Sequence, residues 1–161
     1  MPRRKILTTY KPKPRYVPKV KNHEQSIQRR VCSYLKIQYP RILFRSDYAS
    51  GLKLTMAQAV MHKSMQAGRS WPDLFIYAPR KVGGKQYAGM ALELKREGTT
   101  IICKIGKNKG KLVADPHIQE QYYLLKELER LGYWADFGIG FEDSISKIDY
   151  YMGKPKNTEL F

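Results

Sequence analysis

The chain has 161 residues, with 30 Lys and Arg against 14 Asp and Glu, which gives a formal net charge of +16 at pH 7. A chain of this length can form one domain with a sizeable core, and its 42% of apolar residues argue against wholesale disorder. A basic excess this large favours a polyanionic partner, nucleic acid before a membrane surface.

Several other classes of protein are disfavoured. No apolar run approaches the roughly 18 residues that span a bilayer, and the N-terminus lacks the apolar stretch of a signal peptide. Cys32 and Cys103 are far apart and outside any CxxC spacing, so neither a disulfide framework nor a zinc finger is indicated. We therefore expect an intracellular protein that is not secreted and has no membrane partner.

The basic excess divides into two parts. Residues 1–21 hold eight basic residues, four prolines and no acid, a composition that predicts a flexible arm. The rest of the chain carries the other +8 and every acid. We therefore expect a basic arm at 1–21, a folded domain at 22–153 and a C-terminal tail at 154–161.

Apolar spacing and capping residues predict alternating helices and strands. Ile27, Val31 and Leu35 recur at helical spacing after Asn22, a favoured N-cap residue. Asp115 and Pro116 form a cap and first-position pair for a later helix. The predicted elements are a helix at 22–38, a strand at 42–48, a helix at 55–68, strands at 74–77 and 87–95, a helix at 115–131, a strand at 133–141 and a helix at 144–152.

A central hairpin brings two acids together. The turn over 79–85 contains Gly83-Gly84, and antiparallel pairing keeps the sum of opposed residue numbers nearly constant. A turn centred near residue 83 therefore places Asp73 opposite Glu93. Opposed residues have Cβ atoms about 5 Å apart, so both carboxylates can reach one cation.

The strand that carries Glu93 also presents a lysine beside the acids. Side chains alternate along a strand, so Glu93 and Lys95 share a face while Leu94 points into the core. Hard oxygen ligands select Mg²⁺ or Mn²⁺ rather than Zn²⁺. The hairpin thus predicts a divalent cation site with a positive charge next to it.

Two polar residues occupy positions that the apolar pattern reserves for the core. Glu24 lies three residues before Ile27, and Gln121 lies four residues before Leu125. An unpaired polar group there would cost roughly 1–3 kcal/mol. We therefore expect both side chains to have partners, and the cation site is the obvious one.

The pair Pro72-Asp73, followed after a hairpin by Glu93-Leu94-Lys95, resembles the PD-(D/E)XK nuclease superfamily. More narrowly, the chain resembles the VRR-NUC domain of stand-alone phage and bacterial nucleases over about residues 22–152, including the helix with Gln121. The resemblance implies an α/β fold with a restriction-endonuclease-like core, in which a mixed central β-sheet is flanked by α-helices.

The resemblance also implies roles for individual residues. Lys95 orients and activates the attacking water, and Gln121 supports the geometry of the active site. The catalytic set is Asp73, Glu93, Lys95, Gln121 and Glu24. The ligands of a Mg²⁺ or Mn²⁺ ion are Asp73, Glu93, the backbone carbonyl of Leu94 and, directly or through water, Glu24.

The activity implied by the resemblance is hydrolysis of DNA phosphodiester bonds by a metal-dependent endonuclease. The implied substrate is structured DNA, either a four-way (Holliday) junction or a flap, and the implied assembly is a homodimer. The location would be the cytoplasm of a bacterial or phage-infected cell. Cleavage of RNA and the use of one or two metal ions stay open.

Basic residues outside this constellation are candidates for contacts with nucleic acid. Residues 96–111 form a long, glycine-containing basic stretch, which we interpret as a mobile loop along a phosphate backbone. His117 is interpreted as a surface residue. The candidate nucleic-acid contacts are Arg45, Arg69, Lys104, Lys107, Lys109 and Lys111.

A nucleic-acid-binding protein without catalysis is the rival interpretation. Phosphate contacts from the arm and the basic loop would support it, together with stacking on Tyr10, Tyr16, Tyr48 and Trp71. Such a protein would bind without metal and tolerate Glu93→Ala. Acids gathered at one spot repel phosphate unless a cation lies between them, and this favours catalysis.

Overall fold

The structure, a computed structural model, describes residues 23–47, 54–67 and 70–154. The predicted arm at 1–21 lies outside these ranges, as do residues 155–161 of the predicted tail. So do Asn22, Arg69 and the aromatics Tyr10, Tyr16 and Tyr48.

The described chain alternates helices and strands. None of its helices combines the length and apolar character needed to cross a bilayer. In chain order the elements are α1 (His23–Gln38), β1 (Phe44–Ser46), α2 (Met56–Ser64), β2 (Leu74–Ile76), β3 (Arg80–Val82), β4 (Lys85–Tyr87), β5 (Met90–Lys95), α3 (Pro116–Arg130), β6 (Trp134–Ile139) and α4 (Gly140–Met152).

The central sheet is mixed and has the strand order β1-β2-β5-β6. The pairs β1–β2 and β2–β5 are antiparallel, whereas β5–β6 is parallel. The parallel pair follows from the long connection through α3, since parallel neighbours need a crossover. This architecture confirms the expected α/β fold with a mixed sheet flanked by helices.

Strand β5 lies at the centre of the molecule, and all six of its residues are buried. Met90, Leu92 and Leu94 belong to the core that contains α1 and α4 residues, whereas Ala91 belongs to the core that contains α3 residues. A strand covered on both faces reads as a nearly continuous apolar run. Glu93 and Lys95 interrupt that run on the α3 face.

The helices form where the apolar pattern predicts them. Val31 and Leu35 of α1 are fully buried, and Leu125 and Leu128 of α3 are 3% and 4% exposed. Asp115 caps α3, because its Oδ1 accepts hydrogen bonds from the backbone N–H groups of residues 117 and 118.

Helix α2 is capped as expected but ends earlier than predicted. Thr55 and Gln58 form a reciprocal capping box, in which the backbone N–H of each residue donates a hydrogen bond to the side-chain oxygen of the other. The helix ends at Ser64 rather than at residue 68, and none of its nine residues is buried. The capping box thus predicts where the helix begins, whereas no buried residue of the helix indicates where it ends.

Two connections differ from the sequence interpretation. The predicted turn over 79–85 contains two short strands, β3 and β4, which pair as a separate sheet around Gly83-Gly84. Helix α4 begins at Gly140, not at residue 144. Gly140 has a φ of +78°, which lets the helix start directly after β6, and Asp143 accepts a hydrogen bond from the N–H of Ile139 at 2.8 Å.

The basic stretch after β5 is a hairpin rather than an irregular loop. Ile102 forms a β-bridge with Leu112, and the N–H of Cys103 donates to the carbonyl of Lys111 at 2.8 Å. Ile101 anchors the base of the hairpin in the α3-side core. We call residues 101–113 the basic hairpin.

Candidate metal centre

The register of β2 and β5 places Asp73 opposite Glu93. Leu74 pairs with Leu92 and Ile76 with Met90, so the same register continued by one residue joins the two acids. The backbone N–H of Leu94 donates to Oδ2 of Asp73 at 2.9 Å. The pairing predicted from the position of the turn is confirmed.

Glu93 is buried and its two oxygens have different surroundings. Oε1 accepts hydrogen bonds from Nζ of Lys95 at 3.0 Å and from Nε2 of Gln121. Oε2 is buried and has no hydrogen-bond partner among the described residues. A buried carboxylate oxygen without a partner is expensive, so Oε2 is where the site lacks positive charge.

Both acids resist ionisation in the metal-free protein. Burial, followed by the charge of Asp73, raises the pKa of Glu93 to about 8 against the opposing effect of Lys95. Burial also raises the pKa of Asp73 to about 6, although the hydrogen bond from Leu94 and the charge of Lys95 lower it. A buried carboxylate whose pKa is raised further by a half-buried carboxylate beside it is an arrangement that a bound cation would stabilise.

The donor set fits a magnesium-like ion. Asp73 and Glu93 offer hard carboxylate oxygens. The N–H and C=O of a strand residue point to the same edge, so the carbonyl of Leu94 faces the edge where its N–H meets Asp73. Magnesium typically uses one or two carboxylates and keeps several waters. No three His, Cys, Asp or Glu side chains among the described residues form a ready-made metal cluster, so waters would have to complete the coordination of an ion here.

The five predicted catalytic side chains line one cavity of about 320 Å³. Gln121 is 4% exposed and Lys95 is 6% exposed, as their positions on buried faces predict. The expected burial of Glu24 is wrong, because this residue is exposed at the start of α1. Its charge nevertheless contributes to the raised pKa of Asp73, so Glu24 acts on the site from the cavity mouth. We call this space the acidic cavity.

Gln28 is a wall residue of the acidic cavity that the sequence interpretation missed. Its Nε2 donates to Oγ of Ser46 and to the carbonyl of Asp47, both at 2.7 Å, and reaches the carbonyl of Asp73 at 3.5 Å. The amide therefore ties α1 to the ends of β1 and β2. The signal was present, since Gln28 lies four residues after Glu24 on the same helix face and three before Val31.

Two histidines that are dispersed in the sequence also reach the acidic cavity. His62 comes from α2 and His117 from the first turn of α3. His117 is exposed, as predicted, and its Nε2 lies 3.1 Å from Nε2 of Gln121. The remaining wall residues are Gln25, Asp47, Gln66, Ser70 and Trp71.

Five of the six predicted nucleic-acid contacts lie within the described residues, all except Arg69. Arg45 is exposed on β1, directly opposite Phe75 of β2. Four lysines are exposed on the basic hairpin: Lys104, Lys107, Lys109 and Lys111. None of these five side chains lines the acidic cavity.

The fold is a mixed sheet with helices on both faces. Its two central strands bring together two opposed carboxylates and a lysine. Among solved structures, the chain is similar to a VRR_NUC domain protein, with a TM-score of 0.54 and 21% sequence identity over 81% of this chain and 88% of that one. The chain therefore shares the fold of that VRR_NUC domain protein. No family model and no curated protein sequence matches it.

Proposed function

We propose that this protein is a divalent-metal-dependent endonuclease that hydrolyses phosphodiester bonds in DNA. One observation carries the proposal. Oε2 of Glu93, a residue that lies opposite Asp73, is buried and has no hydrogen-bond partner among the described residues. A protein that only binds DNA gains nothing from a buried glutamate beside a half-buried aspartate. A protein that holds a cation against a phosphate needs such a pair.

Asp73, Glu93 and the carbonyl of Leu94 would hold the ion, either Mg²⁺ or Mn²⁺. When bound, such an ion lowers the pKa of a coordinated water and offsets the charge that develops on the phosphate. The uneven environment of Glu93 suits this task, because Oε1 is held by two donors while Oε2 is left for the ion.

Lys95 supplies a fixed positive charge at the floor of the acidic cavity. Its ammonium lies 3.0 Å from Oε1 of Glu93 and its side chain is 8% exposed. An ammonium has three donors, so Lys95 can bond Glu93 and still orient a water or a phosphate oxygen. Its charge favours hydroxide over water in the attacking position.

Gln121 and Glu24 have different supporting tasks. Gln121 donates to Oε1 of Glu93 and contacts His117, so it fixes the rotamer of the carboxylate. Glu24 lies at the open end, where it can accept a proton or hold a water without being buried. Gln121 is therefore a positioning residue for Glu93.

The rest of the chain supplies the affinity for DNA. The net charge of +16 gives a long-range attraction for a polyanion. Exposed Arg45 and the four lysines of the basic hairpin are the proposed phosphate contacts among the described residues. A preference for four-way junctions or flaps, a homodimeric assembly and a cytoplasmic location are parts of the proposal that come from the VRR-NUC resemblance.

A cleavage assay tests the proposal. The full chain is incubated with supercoiled, linear, flapped and four-way-junction DNA in Mg²⁺, Mn²⁺ or EDTA. We expect cleavage with either metal and none in EDTA, and a loss of at least about a hundredfold in Asp73→Asn and Lys95→Met. Binding that persists in every variant without cleavage of any substrate would establish the non-catalytic alternative instead.

The metal itself is tested by a readout other than cleavage. Titration of Mn²⁺ into the protein by calorimetry should give binding that Glu93→Gln removes. Glu97→Gln is the matched control, because Glu97 is an exposed glutamate two residues beyond Lys95. Equal binding by the two variants would place the ion elsewhere.

A further inference from the structure

A second cavity, of about 400 Å³, adjoins the acidic cavity. The two share Asp47, His62, Gln66 and Trp71 as wall residues. Other walls of this second space are aromatic, formed by Phe75, Tyr77 and Tyr133. We call it the aromatic cavity.

Phe75 of β2 and the following Tyr77 form an aromatic platform, against which Trp71 packs at a tilt and Tyr133 packs edge-on. Phe75 and Tyr77 stack with an interplanar angle of 16° and ring centroids 6.4 Å apart, and Trp71 and Tyr133 lie 6.1 and 6.2 Å from Phe75. Tyr77 is 49% exposed. A half-exposed ring at the end of a packed row offers an open face for another flat group.

The platform and the carboxylates share one face of the sheet. Phe75 is paired with Ala91 of β5, and Glu93 lies two residues further along that strand, so Phe75 and Glu93 lie on the same face. Tyr77 stacks on Phe75 and lies beside it. Each step of two residues advances roughly 7 Å. Arg45 lies directly opposite Phe75 on the neighbouring strand, which places a cation beside the rings as well.

We propose that the aromatic cavity binds an unpaired nucleobase of the strand whose phosphate lies between Asp73 and Glu93. This inference rests on the proposed nuclease function and adds a base-binding subsite beside the cut, which requires an unpaired nucleotide there. A base inside a duplex is stacked on its neighbours and cannot reach the platform unless it is extruded.

The chemistry of the cavity favours a nucleobase over other occupants. Every base has a π-face, so stacking on aromatic side chains tolerates any sequence. Arg45 can contact the adjoining phosphate or stack on the base. An apolar peptide would gain little from Arg45 or from the walls shared with the acidic cavity. A nucleotide has a phosphate for the arginine and a base for the rings.

The test uses 2-aminopurine, a base analogue whose fluorescence falls when it stacks. Oligonucleotides carry one 2-aminopurine flanked by thymidines, either unpaired in a flap or paired in a duplex. The full-length protein is added in EDTA so that metal-dependent cleavage does not interfere. We expect a fall in fluorescence at one unpaired position and no change at the paired positions.

Variants assign the signal to the platform. Tyr77→Ala should remove the fall and weaken binding of the unpaired strand about tenfold, while Tyr77→Phe should keep both because the ring remains. Tyr150→Ala is the matched control, since Tyr150 is 54% exposed on α4. Melting curves of all three variants distinguish a loss of stacking from a loss of folding.

Two outcomes would overturn the inference. One is binding of the oligonucleotides, measured by anisotropy, without a fall in fluorescence at any unpaired position. The other is a fall that Tyr77→Ala leaves intact in a folded protein, which would place the stacking elsewhere. Both are independent of catalysis, because cleavage of DNA in Mg²⁺ by the same preparation tests the nuclease function separately.

Discussion

The side-chain amide of Gln121 donates a hydrogen bond to Oε1 of Glu93, so the first turns of α3 hold the carboxylate of the central strand. Lys95 donates to the same oxygen. The other oxygen is thereby turned away from every donor among the described residues. The amide and the ammonium therefore hold Oε1 of Glu93 and leave Oε2 available to a cation.

Removal of this amide should weaken metal binding without unfolding the protein. Partners of metal ligands typically contribute 10- to 100-fold to affinity, so we expect Gln121→Ala to bind Mn²⁺ about 10 to 100 times more weakly in calorimetry. Tyr123→Ala, an exposed change on the same helix, is the control. Unchanged affinity in Gln121→Ala would show that the amide has no positioning role.

The raised pKa values predict how stability varies with pH in EDTA. Glu93 has an ordinary pKa of 4.5 when unfolded and about 8 when folded. Between these values the folded state holds a proton that the unfolded state has released, so stability falls as pH rises through this window and levels off above it. Asp73 has the same sign between 3.8 and about 6.

Thermal melts at pH 5, 6.5 and 8.5 check this prediction. In EDTA the melting temperature of the wild type should fall from pH 5 to pH 8.5 by more than that of Glu93→Gln, because the neutral side chain of the variant cannot ionise. Added Mg²⁺ should stabilise the wild type more at pH 8.5 than at pH 5, because ligands must be deprotonated to bind. Parallel pH curves for the two proteins in EDTA would contradict the assignment.

The carboxylate pair could be predicted from the sequence because it depends on local geometry. The central turn fixes the sum of opposed residue numbers, and this places Asp73 opposite Glu93 even though β3 and β4 form a sheet of their own. Gln121 could be found because it breaks an apolar helix face. Gln28 breaks the face of α1 in the same way, and its role depends on β1 and β2 ends that only the fold brings near.

The aromatic platform could not be predicted, since it depends on contacts between distant segments. Phe75 and Tyr77 read as residues of a buried strand, and nothing in the sequence indicates that Tyr133 packs edge-on against Phe75. The basic hairpin was hidden for another reason. Its polar composition is typical of a loop, while its order comes from a bridge between Ile102 and Leu112 and from the burial of Ile101.

The lysines of the basic hairpin should control the salt dependence of DNA binding. Removing one lysine–phosphate interaction lowers the slope of log affinity against log salt by about 0.9. Replacing Lys104, Lys107, Lys109 and Lys111 by Ala should therefore lower the slope by up to about three to four. Fluorescence anisotropy at several salt concentrations measures it, and cleavage should keep its requirement for metal.

A charge-matched variant separates position from net charge. Four other exposed lysines can be replaced by Ala with the same change in charge: Lys36, Lys63, Lys81 and Lys85. We expect this variant to keep most of the slope, because its lysines lie on other elements. Equal reductions in the two variants would mean that the basic hairpin is not a preferred binding surface for DNA.

Replacement of Gly89, which directly precedes β5, should damage the central sheet. A Cβ at this position would lie 2.7 Å from the carbonyl oxygen of Ile76 and 3.1 Å from the ring of Tyr133. The carbonyl belongs to β2 and cannot move without disturbing the pairing with β5, so we expect Gly89→Ala to lower the free energy of unfolding by about 1–3 kcal/mol. Ala88→Ser, at the exposed neighbouring residue, should be nearly neutral. Urea unfolding followed by circular dichroism measures both variants, and a Gly89→Ala protein as stable as Ala88→Ser would show that β2 and the Tyr133 ring can move apart to admit a methyl group.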